Sequence, residues 1–298
     1  MKILLVYYTG TFNTRYITNM VKERFESKGH EVSTFEWNYD GPHTVDMNGY
    51  DMVGFGYPIY GFNIPGPFMK FLKKQKYPQG IKYFVYKNSG ETYAANDSSS
   101  HQLNRLLKRN KCKLSNEEHF MMPYNIHFRY DDALVKEIIV MDEKLADVLV
   151  YEVLNNIDNI KKYKFIYDVV AVTVRLQYIG GPINALFMKT YKDKCNGCGL
   201  CIKQCPVHNI YKDKKGRVKF HKHCIMCMRC TLHCPKDAIK FGLFASWKVN
   251  GKYDLKKIRE MDTEGQYITE KTEGFFKCFI KTYNYIDTRY NEIFNNNK

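Results

Sequence analysis

The sequence predicts an α/β protein with a doubly wound parallel sheet and a second, smaller α+β domain. Residues 1–160 alternate short apolar runs with segments of helical periodicity, the pattern of a parallel sheet covered by helices on both faces. Eight of the ten cysteines fall between Cys195 and Cys234 at regular spacing. A length of 298 residues suits two domains.

Five apolar runs are the predicted strands, and helices separate them. We expect strands at 3–8, 32–37, 52–56, 81–86 and, more weakly, 119–122, and helices at 13–28, 67–76, 100–109 and 135–154. Five such strands fit the order 2-1-3-4-5, which places a ligand at the carboxyl ends of the strands where strand order reverses. The predicted domains are the sheet domain 1–160, a connector 161–189 with a Gly180-Gly181-Pro182 break, a cysteine-rich domain 190–245 and a tail 246–298.

The tail repeats aromatic and aliphatic residues at near-helical spacing from Phe275 to Ile286. This spacing predicts a helix docked on the rest of the protein, with a partner-binding helix as the alternative.

Two cysteine runs share the form C-x2-C-x2-C-x3-C-P, which is typical of bacterial two-cluster ferredoxins. In that pattern the fourth cysteine of each run ligates the other cluster. Zinc sites use two cysteine pairs with a longer gap, and disulfides need an oxidising compartment. We therefore expect two [4Fe–4S] clusters, the first held by Cys195, Cys198, Cys201 and Cys234 and the second by Cys224, Cys227, Cys230 and Cys205.

Three loops at predicted carboxyl ends of strands form a candidate flavin site. The first opens a helix, whose N-terminal N–H groups bind phosphate well; it lacks the Gly-Lys-Ser/Thr of a Walker loop and the G-x-G-x-x-G of a dinucleotide site. Simple N-capping by Asn13 or Thr14 is the alternative for this loop. The three loops together predict bound FMN, with candidate residues Thr9, Gly10, Thr11, Phe12, Asn13, Thr14, Pro58, Ile59, Tyr60, Gly61, Phe62, Asn88, Ser89, Gly90 and Tyr93.

The first loop resembles the FMN-phosphate loop of flavodoxins, Ser/Thr-x-Thr-Gly-Asn-Thr, with Phe12 where glycine is usual. If that position needs a positive φ, Phe12 is strained or the loop is reshaped. Residues 1–245 resemble a fusion family of anaerobic bacteria that joins a flavodoxin-like domain to a two-cluster ferredoxin domain. The resemblance implies that residues 58–62 cover the isoalloxazine ring, with Gly61 as the flexible position near its N5.

The net charge of the chain favours some classes of binding partner over others. The chain carries 46 Lys and Arg against 31 Asp and Glu, a formal net charge of +15, which suits an acidic redox partner or an anionic ligand. Lysine runs without a recognition motif argue against nucleic acid as a partner.

No signal peptide and no run of 18 apolar residues is present, so we expect a cytoplasmic protein with no membrane span. Isolated Cys112 and Cys278 read as small buried hydrophobes.

Two one-electron carriers and one two-electron carrier on a single chain predict an electron-transfer protein. The first alternative is a reductase, in which FMN passes electrons to a small organic acceptor; no acid–base pair stands out as catalytic. The second is a redox sensor whose clusters report oxygen or hold structure.

Overall fold

The computed structural model describes residues 1–162, 164–175, 177–249, 251–263 and 265–295, with only the backbone of Gln177. Five parallel strands form the main sheet: β1 Lys2–Tyr7, β2 Glu31–Glu36, β3 Met52–Pro58, β4 Lys82–Ser89 and β5 Lys113–Met121. Their order is β2-β1-β3-β4-β5, and every neighbouring pair is parallel. The predicted doubly wound, flavodoxin-like fold is confirmed.

Helices cover both faces of this sheet. On one face lie α1 (Asn13–Ser27) and α4 (Asp132–Leu154), packed on inward side chains such as Ile3 and Leu5. On the other lie α2 (Gly66–Leu72) and α3 (His101–Arg109). Successive side chains of β1 point to opposite faces of the sheet, and helices cover both faces. Almost the whole strand is therefore buried, which explains its continuous apolar run.

Strand β5 begins earlier than predicted because it contains buried polar residues. Glu117 and Lys87 are both fully buried and form an ion pair with an N–O distance of 2.5 Å. Glu118 and Glu152 are bound by Arg289, at 2.6 and 2.5 Å. These partners are distant in sequence, so hydrophobic periodicity shows only the apolar end of the strand.

The predicted break at Gly180-Gly181-Pro182 is wrong, because most of residues 165–187 are helical. Helix α5 spans Phe165–Val174 and α6 spans Gln177–Phe187, with Pro182 inside α6. Tertiary contacts hold α6 on both sides of the proline: Tyr178 donates its hydroxyl to the Ile64 carbonyl (2.8 Å), and Asn184 accepts from the backbone N–H of Leu243 (2.8 Å).

The cysteine-rich segment is built from short elements. Strand β6 (Lys189–Thr190) comes first, followed by α7 (Leu200–Lys203), β7 (Ile210–Lys212), β8 (Val218–Phe220), α8 (Arg229–Leu232) and β9 (Ile239–Lys240). Strands β6 and β9 pair antiparallel, as do β7 and β8. The third cysteine of each run lies in a short helix, Cys201 in α7 and Cys230 in α8, so the repeat in sequence is also a repeat in structure.

The C-terminal segment folds back onto the sheet domain through α9 (Leu255–Glu260) and α10 (Lys277–Phe294). Phe279, Tyr283 and Ile286 of α10 are buried in the core that contains α4. Residues 250, 264 and 296–298 of the predicted tail lie outside the described residues. Within the described ranges, no helix is both long and apolar enough to cross a membrane.

Candidate functional site

A cavity of ≈ 610 Å³ opens at the carboxyl ends of β1, β3 and β4. This volume lies within the usual range for ligand and cofactor sites. The predicted flavin residues that line it are Thr9, Gly10, Thr11, Asn13, Thr14, Pro58, Ile59, Tyr60, Gly61, Phe62, Asn88, Ser89 and Gly90. The other two, Phe12 and Tyr93, do not line it. The ring of Tyr93 lies edge-on to Phe275 instead, 6.4 Å between centroids.

The loop before α1 has the chemistry of a phosphate site. The Thr9 side chain is 1% exposed, and its hydroxyl has no hydrogen-bond partner among the described residues. Thr14 donates its hydroxyl to the Asn88 side chain (2.7 Å), which ties this loop to the end of β4. A buried hydroxyl without a partner is costly; beside a helix N-terminus, a ligand phosphate would satisfy it. These residues fit FMN.

Phe12 has φ 74° and faces the cysteine-rich domain. Its ring contacts three side chains: the Arg15 and Arg229 guanidinium carbons lie 4.6 and 4.7 Å from its centroid, and the His233 ring lies 4.9 Å away. A left-handed conformation costs a non-glycine residue about 1–2 kcal/mol. Cation–π contacts of about 0.5–2 kcal/mol each offset that cost.

Two glycines make room for the aromatic walls of the cavity. A Cβ on Gly10 would overlap the Tyr60 hydroxyl, and a Cβ on Gly90 would overlap the Tyr124 ring. These close approaches explain why glycine stands at both positions in the predicted loops.

A carboxyl group that sequence reasoning missed also lines this cavity. Burial raises the pKa of Glu91, and hydrogen bonds from Tyr124 and Asn96 oppose the shift. Nearby, Ser89 and His119 are 2.7 Å apart, and burial lowers the pKa of His119 well below its usual range. The only sequence signal was the position of Glu91 directly after Gly90. Its hydrogen-bond partner Tyr124 is distant in sequence, so no local pattern shows this contact.

The first three cysteines of run one lie beside the last cysteine of run two. Cys195, Cys198, Cys201 and Cys234 line one small cavity. Burial raises the pKa of Cys201 to about 11, and the charge of Cys234 adds to the shift, followed by Cys195 and Cys198.

The remaining four cysteines form a second thiol group. Burial raises the pKa of Cys224 to about 12, with further contributions from Cys227 and Cys205. Burial also raises the pKa of Cys230 well above its usual range. The charges of Cys227, Cys224 and Cys205 add to this shift, and Cys201 of the other group adds least. The thiols are therefore arranged crosswise between the two runs, and their chemistry suits iron–sulfur ligation. The described residues contain no group of three or more His, Cys, Asp or Glu side chains placed to hold a single metal ion.

The two runs share a backbone conformation but not the residues that usually adopt it. Gly197 and Gly199 of run one have φ 69° and 74°, while the equivalent Met226 and Met228 of run two have φ 57° and 61°. Both methionines line the large cavity. Both positions thus add apolar side chains to the lining of the candidate flavin site, which glycine could not supply.

Arg229 joins the two domains. It is 7% exposed and donates to the carbonyls of Thr9 and Gly10 in the loop before α1 (residues 9–12), the candidate phosphate site that is called the phosphate loop below. A third bond, of 2.9 Å, runs to the Gln204 carbonyl beside Cys205. One buried guanidinium therefore fixes the phosphate loop against both cysteine runs.

Different known proteins resemble the cysteine-rich segment and the sheet domain. Residues 194–239 match the family model of a 4Fe-4S dicluster domain. An uncharacterized protein of Methanocaldococcus jannaschii is 31% identical over 78 residues, which is 23% of this chain and 20% of that protein. The chain thus spans about a fifth of the length of this curated relative.

Solved structures resemble the N-terminal half. A flavodoxin from the domain Archaea is 14% identical, with a TM-score of 0.37, covering 51% of this chain and 99% of its own. An oxidised flavodoxin 2 from Bacillus cereus is 20% identical, with a TM-score of 0.35, covering 41% and 86%. The fold assignment rests on the strand order of the chain itself. This protein joins a flavodoxin-like α/β domain to a segment that matches a 4Fe-4S dicluster domain.

Proposed function

We propose that this chain is an electron-transfer protein that holds FMN in the large cavity and two [4Fe–4S] clusters in the crossed thiol groups. One observation carries the proposal: Cys224 and Cys227 line the same cavity as the phosphate loop and the loop at residues 58–62. When bound, the clusters supply one-electron steps and the flavin supplies one- or two-electron steps. A shared wall makes the distance between the carriers short.

The residues of this chain have separate tasks in that arrangement. Thr9 and the N-terminus of α1 bind the phosphate, while Tyr60 and Gly61 cover the ring. Met226 and Met228 exclude water from the space between the carriers. Backbone N–H groups tune the sulfurs: Asn209 donates to Cys205 Sγ (3.2 Å) and Ala238 to Cys234 Sγ (3.3 Å), equivalent bonds in the two runs.

Paired substitutions test the crossed ligation. If Cys195 and Cys234 hold the same cluster, Cys195→Ser/Cys234→Ser removes one cluster and leaves about half of the iron and sulfide. Cys224→Ser/Cys234→Ser then damages both clusters and leaves far less. The uncrossed arrangement predicts the reverse order. Cys112→Ser, outside both runs, is the matched control and keeps the full iron content.

Anaerobic stopped-flow spectroscopy tests the relay. After a low-potential donor reduces the iron–sulfur absorbance, we expect reduction of the flavin absorbance on the same chain. Bleaching of the clusters with an unchanged flavin spectrum rejects internal transfer. Loss of both clusters with full electron-transfer activity instead supports a sensor or structural role.

The external partner is proposed to be an acidic redox protein. The motivation is the net charge of +15, together with exposed lysines such as Lys214 and Lys215 between β7 and β8. Transfer to an acidic partner should slow as ionic strength rises. A rate independent of salt argues against this partner class.

Glu91 favours a second candidate, a flavin-dependent reductase of a small organic acceptor. A half-buried carboxyl with a raised pKa on the lining of this cavity is a suitable proton donor. Under this alternative, Glu91→Gln keeps its flavin but loses turnover with an organic acceptor by about 10²-fold or more. Equal turnover of the variant and the parent removes this candidate.

A further inference from the structure

The helix pair, defined as α5 (Phe165–Val174) and α6 (Gln177–Phe187), presents large apolar side chains to solvent. On each helix they recur at a spacing of three or four residues, which forms one stripe along one side. The exposed fractions are Phe165 81%, Ile166 59%, Val169 43% and Val172 54% on α5, and Ile179 60%, Ile183 47%, Leu186 56% and Phe187 46% on α6. Such a concentration of exposed apolar residues marks an interaction surface.

The inward side of the helix pair has the opposite character, small and polar. Ala171 is 2% exposed, and its carbonyl accepts a hydrogen bond from Asn63 (2.8 Å). Asp168 pairs with His101, and buried Asn184 accepts from the backbone of Leu243. An ordinary surface helix buries its apolar side. Here polar contacts fix the helix pair to the protein, and the apolar side remains free for another surface.

The helix pair contains few charged residues, and lysines lie just before and just after it in the chain. Between residues 165 and 187 the only charged residues are Asp168 and Arg175, and Arg175 donates to the Asn63 side chain (2.9 Å). The stripes themselves therefore carry no charge. Exposed lysines flank the helix pair on both ends of the segment: Lys162 and Lys164 before it, and Lys189, Lys192 and Lys194 after it.

We infer that the helix pair docks on the surface of an anionic lipid bilayer. The apolar stripes would insert at the boundary between headgroups and acyl chains, and the flanking lysines would bind the headgroups. This inference goes beyond the electron-transfer proposal and does not depend on either cofactor. Gly180 and Pro182 of α6 line the large cavity, so docking holds that cavity close to the bilayer.

Two features favour lipid over a protein surface. The stripes consist of Phe, Ile, Val and Leu, which offer no hydrogen bonds, and exposed Tyr178 of α6 donates its hydroxyl to the Ile64 carbonyl of the protein itself. Protein interfaces, in contrast, carry about one hydrogen bond per 100–200 Å² and favour Tyr, Trp and Arg anchors. A second copy of this chain would also place two sets of the same flanking lysines together, on bodies that each carry a net charge of +15.

Vesicle co-sedimentation of the full-length holoprotein tests the stripes. We expect binding to phosphatidylcholine vesicles that contain phosphatidylserine and weak binding to phosphatidylcholine alone. Ile179→Ser/Ile183→Ser should weaken binding by about tenfold or more, since it removes two apolar side chains from the inserted surface. Tyr267→Ser is the matched control, because Tyr267 is 42% exposed on a different segment and its loss should leave binding unchanged.

Charge variants test the lysines. Lys162→Gln and Lys164→Gln should each lower the affinity for anionic vesicles by about fivefold, while Lys28→Gln, an exposed lysine after α1, should have no effect. The inference is overturned by failure to bind anionic vesicles, or by binding that Ile179→Ser/Ile183→Ser does not change. Light scattering that shows a dimer, dissociated by the same double substitution, also overturns it and identifies a second copy as the occupant.

Discussion

Two adjacent glycines in α6 allow a sharp test of how this helix packs on the second thiol group. A Cβ on Gly181 would overlap the carbonyl oxygen of Cys224 and lie 3.1 Å from its carbonyl carbon. A Cβ on Gly180 meets no atom within 4 Å. Gly181→Ala is therefore expected to separate α6 from the cysteine loop, whereas Gly180→Ala adds a methyl group on the lining of the large cavity, where it touches no protein atom.

The magnitude follows from two terms. Alanine is more favourable than glycine inside a helix by up to about 1 kcal/mol, and this gain applies to both substitutions. Overpacking typically costs about 1–3 kcal/mol. We use this whole range, because the overlapped atom belongs to the backbone and cannot rotate away. The helix term cancels in the comparison. Gly181→Ala should thus be less stable than Gly180→Ala by about 1–3 kcal/mol.

Denaturant unfolding of the anaerobically purified holoproteins measures this difference, followed through the iron–sulfur and flavin absorbance. Gly180→Ala should have an unfolding midpoint equal to or above that of the parent, with full iron content. Gly181→Ala should have a lower midpoint and should lose iron first, because Cys224 moves. Equal midpoints for the two variants would show that α6 does not press on the cysteine loop, and the packing argument would fail.

Two further predictions concern buried carboxylates. Asp142 is fully buried and accepts one backbone hydrogen bond (3.0 Å), and burial raises its pKa well above the usual range. A raised native pKa of a carboxyl removes stability as pH rises from the unfolded-state pKa of about 4 to the native value. Asp142→Asn should therefore stabilise increasingly over that interval, as unfolding midpoints across pH will show, whereas Asp147→Asn, which breaks an ion pair with Arg24, should not stabilise. Arg289→Met should lower the free energy of unfolding by about 3–5 kcal/mol, because it leaves Glu118 and Glu152 without their buried cation. Thermal or denaturant unfolding measures this loss. Adding Glu152→Gln should recover part of it, and no recovery would contradict the ion-pair explanation.

Local patterns predicted the sheet because a strand buried on both faces must be continuously apolar, whatever lies around it. The same reasoning failed at residues 180–182. There the sequence signals a break, but the contacts of Tyr178 and Asn184 with distant segments keep the helix intact. Glu91 was missed for a related reason, since its place in the cavity and its hydrogen bond with Tyr124 come from contacts between segments that are distant in sequence.

The sequence by itself determined two features: an alternation of strands and helices that fits the observed strand order, and a cysteine spacing that suits two clusters. Both are encoded locally, in periodicity and in the distance between ligands along the chain. Only the tertiary structure decided that Arg229 bonds the phosphate loop, that Met226 and Met228 adopt conformations usual for glycine, and that the helix pair turns its apolar side outward. Each of these depends on which surfaces meet when the two domains pack, and no local pattern specifies that.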